Sequence, residues 1–265
     1  MRSGVLGLVL LTLSCGGAAP PATAPSAAAN ASNEQTVVAS REARAIVAAS
    51  DRDAEDRKLD GGREPAEMLT FYGIEPGMKV AELAAGTGYT TEILARAVGP
   101  TGVVYSQNNA MIVETFAGEG WNARLAKPVN AKVVNVVREF DDPLPPEATD
   151  LDAVFVVLTY HDLYWFGVDR AKMNAAVLRA LKPGGLYAII DHSGRPGTGA
   201  SEVKTVHRIE EKELRADVEK AGFKLARAAD FLRNPRDERD WNPSPSTAGE
   251  RRGSSDRFVL AFVKP

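Results

Sequence analysis

The sequence predicts an α/β protein of the doubly wound kind: a mostly parallel seven-stranded sheet, helices on both faces and an antiparallel last strand. Three observations carry this. Short apolar runs alternate with helix-spaced patterns through five strand–helix units. The first of these runs, Val80 to Leu83, empties into a turn of small residues containing Gly86 and Gly88. No helix-sized apolar pattern lies between Phe231 and Phe258, so the last two strands are expected to join hairpin-fashion and lie antiparallel.

In chain order, Thr36 to Ala49 has Val38, Ala45, Ile46 and Ala49 on roughly one face and predicts a helix of modest amphipathicity. Asp51 to Glu64 is dense in both signs of charge and reads as a solvated loop or helix face. Pro65 suits the first turn of the next helix, where Met68, Leu69 and Tyr72 can pack before Gly73 ends it. Val80 to Leu83 is the central strand, and Ile93, Leu94, Ala97 and Val98 mark the helix that follows. Gly86 and Gly88 allow the backbone to approach a ligand closely, and the free N–H groups opening the helix favour an anion. Glu82, at the strand end, adds a carboxylate. A mouth with both features suits a zwitterion, the acid attracting an ammonium and the N–H groups a carboxylate.

The spacing Glu82-x-x-x-Gly86-x-Gly88 resembles the first motif of the class I S-adenosylmethionine-dependent methyltransferases, whose fold is Rossmann-like; Ala84 stands where the family often has glycine. The resemblance implies S-adenosyl-L-methionine as cofactor, with Glu82, Ala84, Gly86 and Gly88 around its amino-acid end. Val103 to Ser106 is the second strand, and in the family it ends in an acid that grips the ribose hydroxyls. Gln107-Asn108-Asn109 occupies that place, and the resemblance points to Asn108, an amide able to accept one hydroxyl bond and donate another. Ala110 to Ala126 is helical in its first half, with a break at Gly118-Glu119-Gly120, and Lys132 to Val137 is the third strand. The resemblance carries the adenine-facing positions to Glu139 and Phe140.

Ala153 to Leu158 is an unbroken apolar run of the kind a strand covered on both faces requires. It leads into Thr159 to Phe166, at the carboxyl end of a parallel strand, where ligands bind in such sheets. His161 is a candidate base with Asp162 its neighbour, and Tyr160, Tyr164 and Trp165 are candidates to line a pocket. A histidine capping the strand end for structural reasons is an equal alternative. Asp169 to Leu181 is a helix closed by Lys182-Pro183-Gly184-Gly185, and Leu186 to Ile190 a fifth strand delivering Asp191 and His192 beside that cluster. This helix, turn and strand again resemble the methyltransferase family. Gly194 to Ser201 is a glycine-rich loop, a candidate cover for substrate. His207 to Ala221 is a helix, Phe223 to Phe231 a strand, Arg233 to Arg257 a long polar loop with Trp241, and Phe258 to Val263 the last strand. Phe71 to Ile74, Thr159 to Trp165, Asp191 to Ser193 and Asn234 to Asn242 resemble, more closely, a little-characterised bacterial group of predicted methyltransferases.

The 265 residues, 44% hydrophobic and 25% charged, suit one sizeable core. A net charge of −3 without a long basic run gives no footprint for nucleic acid, so the expected partner is a small molecule. Met1-Arg2 followed by the apolar run Val5 to Leu13 is too short to span a bilayer and reads as a secretion signal. Cys15, the only cysteine, resembles the lipidated cysteine of bacterial lipoproteins, although Thr12 stands where leucine is usual. The expected organisation is a signal peptide over 1–14, a lipidated Cys15 with an Ala/Pro-rich tether over 15–35, and one methyltransferase-like domain over 36–265. That implies a lipid-anchored protein of the bacterial envelope or periplasm, or a cytoplasmic one if the leader is not used. The histidines and the cysteine show no metal-ligand spacing, so no metal is expected.

The sequence therefore supports a methyltransferase acting on a small-molecule acceptor. A second reading is an envelope-tethered, non-catalytic binding module that keeps the fold. A nicotinamide-dependent oxidoreductase is weaker, because Thr91 replaces the last glycine of Gly-x-Gly-x-x-Gly and no acid ends the second strand.

Overall fold

The computed structural model describes Met1, Gly4 and residues 34–265. The leader and Cys15 lie outside the described residues. Asn33–Pro265 forms one compact unit.

Its centre is an eight-stranded sheet: β1 Glu34–Gln35, β2 Lys79–Leu83, β3 Val103–Asn108, β4 Val133–Val137, β5 Leu151–Val157, β6 Leu181–His192, β7 Lys224–Ala229 and β8 Arg257–Val263. The spatial order is β1-β7-β8-β6-β5-β2-β3-β4. β2 pairs in parallel with β3 and β5, and β5 with β6, so the carboxyl ends of these strands open on one edge. β8 slots between β6 and β7 and is antiparallel to both, as the missing crossover helix predicts. The eighth strand was not legible: β1 has only two residues, paired beside β7, too few to show a period.

Both faces of the sheet are buried, which explains the unbroken apolar runs. In β8, Phe258, Leu260 and Phe262 enter one core and Val259 and Ala261 the other; in β5, Val154 and Val156 oppose Ala153 and Phe155. Each large apolar side chain so buried contributes about 1.5–3 kcal/mol.

The helices are α1 Arg41–Val47, α2 Ala54–Arg63, α3 Pro65–Tyr72, α4 Tyr89–Val98, α5 Ala110–Ile112, α6 Gly118–Leu125, α7 Asp162–Trp165, α8 Arg170–Ala180, α9 Val203–Val206 and α10 Glu211–Lys220. α1, α3 and α4 cover one face through Ala43, Met68, Leu69, Ile93 and Leu94. α8 and α10 cover the other through Met173, Val177, Leu214 and Val218.

Two expectations about local structure change. The break expected at Gly118 is present, with φ 40° and ψ −134°, but it is one residue long: a π-helical turn over Val113–Ala117 precedes it and α6 resumes the helix after it, with Ala117 and Trp121 both buried. The charged stretch 51–64 is α2 with its approach, and only one side of it is the solvated face expected: Asp51, Asp53, Glu55, Arg57 and Lys58 are exposed, while the other side packs inward. Arg52 and Asp56 are buried, Arg52 pairs with Asp60 at 2.6 Å, and Asp56 pairs with Arg124 of α6 at 2.6 Å.

Candidate active site

β2 delivers Glu82 and then a tight loop. Ala84, Gly86 and Gly88 all have positive φ, at 55°, 58° and 80°. This left-handed conformation is what glycine tolerates at no steric cost; at Ala84 the side chain is accommodated against it. The loop is tied from the neighbouring strand end. Gln107 Oε1 accepts from Ala84 N at 3.1 Å, Asn108 Oδ1 accepts from Gly86 N at 2.8 Å, and Asn108 Nδ2 donates to Gly86 O at 3.0 Å. Both ends of the Asn108 amide are thus committed to the loop, and its side chain is fully buried. Asn108 therefore holds the loop in shape, where the sequence suggested a ribose ligand.

Glu82 turns its carboxylate beneath the first turn of α4, accepting from Thr91, whose hydroxyl also meets Ser106 Oγ at 2.5 Å. Burial pushes the carboxyl up to about 7, against the pull of Thr91 and Thr90. The N-terminus of α4 has no side-chain cap. Beside it lies Arg63, its guanidinium 4.5 Å from the Tyr89 ring centre and, among the described residues, in no ion pair. Burial lowers its pKa, outweighing the opposite pull of Tyr89 and Glu82. Arg63, Tyr89, Thr90, Leu158 and Arg257 line one hollow of about 10 Å³. A β-carbon on Gly86 would meet open space, whereas on Gly88 it would come within 2.7 Å of Arg124 Cδ and 2.9 Å of Trp121 Cζ3. Arg124 also donates to Thr87 O at 2.5 Å, so α6 roofs the second glycine. A larger cavity, about 470 Å³, lies away from this loop, between Ile46, Ala95, Pro128 and Lys132.

Of the adenine-facing candidates, Phe140 is buried in the core and presents no face to a ligand. Glu139 is exposed and accepts from Asn109 Nδ2 at 3.3 Å.

The second mouth is at the ends of β5 and β6. Tyr160 leaves it: its ring is fully buried and its hydroxyl accepts from Asn174 of α8 at 2.9 Å, so it belongs to the core. Tyr164 leaves it too, donating to Asp217 at 2.7 Å under the Arg170 guanidinium. His161 and Asp162 stay, and all three histidines of the chain converge, with ring centres 5.7 Å from His161 to His192 and 5.4 Å from His161 to His207. Asp191 accepts from the His161 backbone N–H at 2.8 Å and lies 2.7 Å from its Nδ1. Asp162 Oδ1 lies 3.1 Å from His161 Nε2 and 3.1 Å from His207 Nδ1, and accepts from Trp165 Nε1 at 2.9 Å.

Burial alone would lower the pKa of His161, but Asp191 and Asp162 outweigh it and push it up to about 10. The two carboxylates thus favour the charged form of this imidazole when the mouth is empty. Burial would raise the Asp162 carboxyl, yet hydrogen bonds from His161, His207 and Trp165 keep it well below the usual range. Burial and the neighbouring His161 charge keep His192 neutral; its Nδ1 lies 2.8 Å from Ser255 Oγ. The sequence reading missed Arg63, Gln107 and Arg124 as site residues, and His207 as part of this mouth.

The geometry defines a class of fold. Its sheet order, reversed last strand and glycine loop at the central strand are those of the class I S-adenosylmethionine-dependent methyltransferase fold. The family model for protein-L-isoaspartate(D-aspartate) O-methyltransferase matches residues 63–125, the segment from Arg63 through the glycine loop to α6. The ubiquinone/menaquinone biosynthesis C-methyltransferase UbiE of Shewanella halifaxensis is 31% identical over 121 residues, 46% of this chain and 45% of that protein. UbiE of Pseudomonas aeruginosa is 30% identical over 126 residues, 47% of this chain and 46% of that protein. The chain spans about half the length of the curated relatives it matches. Among solved structures, a SAM-dependent methyltransferase from Aquifex aeolicus superposes with a TM-score of 0.55 at 21% identity, covering 80% of this chain and 100% of that one. The geranyl diphosphate C-methyltransferase of Streptomyces coelicolor gives 0.53 at 15% identity, covering 88% and 93%. The resemblance read from the motif is borne out in the fold and, by the family model, over residues 63–125.

Proposed function

We propose that the chain is an S-adenosylmethionine-dependent methyltransferase acting on a small-molecule acceptor. The observation that carries this is the pairing, at one strand mouth, of unsatisfied anion-seeking groups with a buried acid. The uncapped N-terminus of α4 and the Arg63 guanidinium, without an ion-pair partner among the described residues, suit the carboxylate of an amino acid. Glu82, destabilised as a carboxylate by its burial, suits the ammonium. S-Adenosylmethionine would supply a methyl group made electrophilic by its sulfonium. The chain's part is alignment: Gln107 and Asn108 hold the loop rigid, Gly86 leaves room above it, and the core behind excludes water.

The matching names disagree about the acceptor atom, one family being O-methylating and the relatives C-methylating. The acceptor is accordingly proposed only as a small molecule entering over the β5 and β6 mouths. Incubation of the purified chain with methyl-labelled S-adenosylmethionine and a panel of small-molecule acceptors tests the reading. Label transfer to one of them supports it. Binding of the cofactor with no transfer to any of them would favour a tethered, non-catalytic binding module.

The envelope location is part of the proposal and rests on the leader-like residues and Cys15. Palmitate incorporation by wild type and not by Cys15→Ala supports the anchor, and equal labelling contradicts it. Among the described residues, no helix is long and apolar enough to cross a membrane.

A further inference from the structure

We propose that His161, Asp162 and His207 form a binding site for one first-row divalent transition-metal ion. The three donor atoms, His161 Nε2, Asp162 Oδ1 and His207 Nδ1, are separated by 3.1, 3.1 and 3.3 Å. Ligands about 2.0–2.2 Å from a common ion stand roughly 2.8–3.1 Å apart on one face of an octahedron and roughly 3.3–3.6 Å apart at the corners of a tetrahedron, a span that includes these separations. The triangle already has that size.

The surroundings are those a metal site needs. Asp191, fully buried, sits 2.7 Å from His161 Nδ1, which fixes the ring and leaves Nε2 directed at the triangle. This is the carboxylate–histidine arrangement that orients metal-binding imidazoles. Trp165 Nε1 donates to the Asp162 oxygen and holds that carboxylate in place. His207 comes from a separate segment, the left-handed residue that ends α9 at φ 47°, and that backbone conformation delivers its Nδ1 to the triangle. The His161 side chain is 3% exposed, whereas those of Asp162 and His207 are 18% and 22% exposed, so an ion would keep its open positions on their side. Two imidazoles and one carboxylate select zinc, iron(II), manganese or cobalt over magnesium and calcium, which take oxygen ligands. Asp162 faces this point and Asp191 stands behind the His161 ring, and both carboxylates favour positive charge there. The open positions would take water or an oxygen of the acceptor.

The test uses the full chain, freed of metal with a chelator, and cobalt(II) as probe. Visible absorption should rise to one equivalent per chain, and zinc should displace the signal. His207→Ala and Asp162→Asn, each checked for native melting, should weaken cobalt binding at least 100-fold. Asp191→Asn, acting through His161, should weaken it about 10–100-fold. Uptake below one equivalent by wild type, or equal affinity in His207→Ala and Asp162→Asn, would overturn the site. The readout is metal binding alone, so its failure and the failure of methyl transfer are separate results.

Discussion

The β2 mouth and the β5–β6 mouth are built in opposite ways on the same sheet edge. At β2 the shape comes from backbone: three alternate left-handed positions at Ala84, Gly86 and Gly88, stapled by the Gln107 and Asn108 amides. At β5 and β6 the shape comes from charge: His161 held between Asp191 and Asp162, with His207 arriving from another segment. A backbone-shaped site keeps its form when empty and receives a ligand by its open hydrogen-bonding groups. A charge-shaped site depends on the packing that keeps its charges together. The difference teaches that damage to supporting residues should act on the two mouths unequally.

The largest effect is expected at the packing behind the histidine mouth. Arg208, next to His207, is fully buried and pairs with Asp237 at 2.9 Å while donating to Trp241 O and Ser193 O. Asp237→Ala leaves a buried guanidinium unpaired and should cost about 3–5 kcal/mol in denaturant unfolding. A loss below 1 kcal/mol would break the claim that this mouth depends on its charge packing.

At the other mouth, Glu82 gives a pH signature. Its folded carboxyl holds its proton up to about 7, above the unfolded value of 4.5. Below pH 4.5 both states are protonated and nothing is lost. Between 4.5 and 7 the unfolded chain ionises first, so stability falls, and above pH 7 the full cost of roughly 3 kcal/mol is present. Glu82→Gln should therefore gain stability over wild type between pH 5 and pH 8, read as diverging melting temperatures. Parallel melting curves across that range would remove Glu82 from its buried position.

Asn108→Ala removes both staples on Gly86 and should cost about 2 kcal/mol while leaving the histidine mouth unchanged. Stability equal to wild type would mean that the loop holds its shape without them. The smallest effect belongs to Trp165→Phe, which deletes one hydrogen bond to Asp162 at a 42% exposed side chain, about 1 kcal/mol or less. A larger loss would show that Asp162 relies on that donor.

The two mouths were also unequally legible. The glycine loop could be read because its parts are contiguous: strand, small residues and helix within twelve positions, with spacing fixed by backbone geometry. The antiparallel final strand followed from the absence of a helix-sized apolar pattern between Phe231 and Phe258, where the structure has only one 3₁₀ turn, Gly249–Arg251. The histidine mouth brings together residues 161, 162, 191 and 207, and no period or spacing encodes contact between strand mouths and a helix end. Tyr160 was misread because successive residues leaving a strand turn to different sides, and its side faces α8 while His161 faces the mouth. The charged 51–64 stretch was only half legible, because a charge pattern looks the same whether it meets water, as Glu55 and Lys58 do, or Arg124 and Tyr89, as Asp56 and Asp60 do.

The most direct measurement is calorimetric titration of the full chain with S-adenosylmethionine and its demethylated product, for wild type and Gly86→Val. The β-carbon at Gly86 meets open space, but its φ of 58° is one that a β-branched residue resists and its volume fills the room above the loop. Saturable binding of one equivalent to wild type, lost in a Gly86→Val chain that still melts cooperatively, is the predicted result. No binding to wild type, or the same affinity in the folded variant, would contradict it.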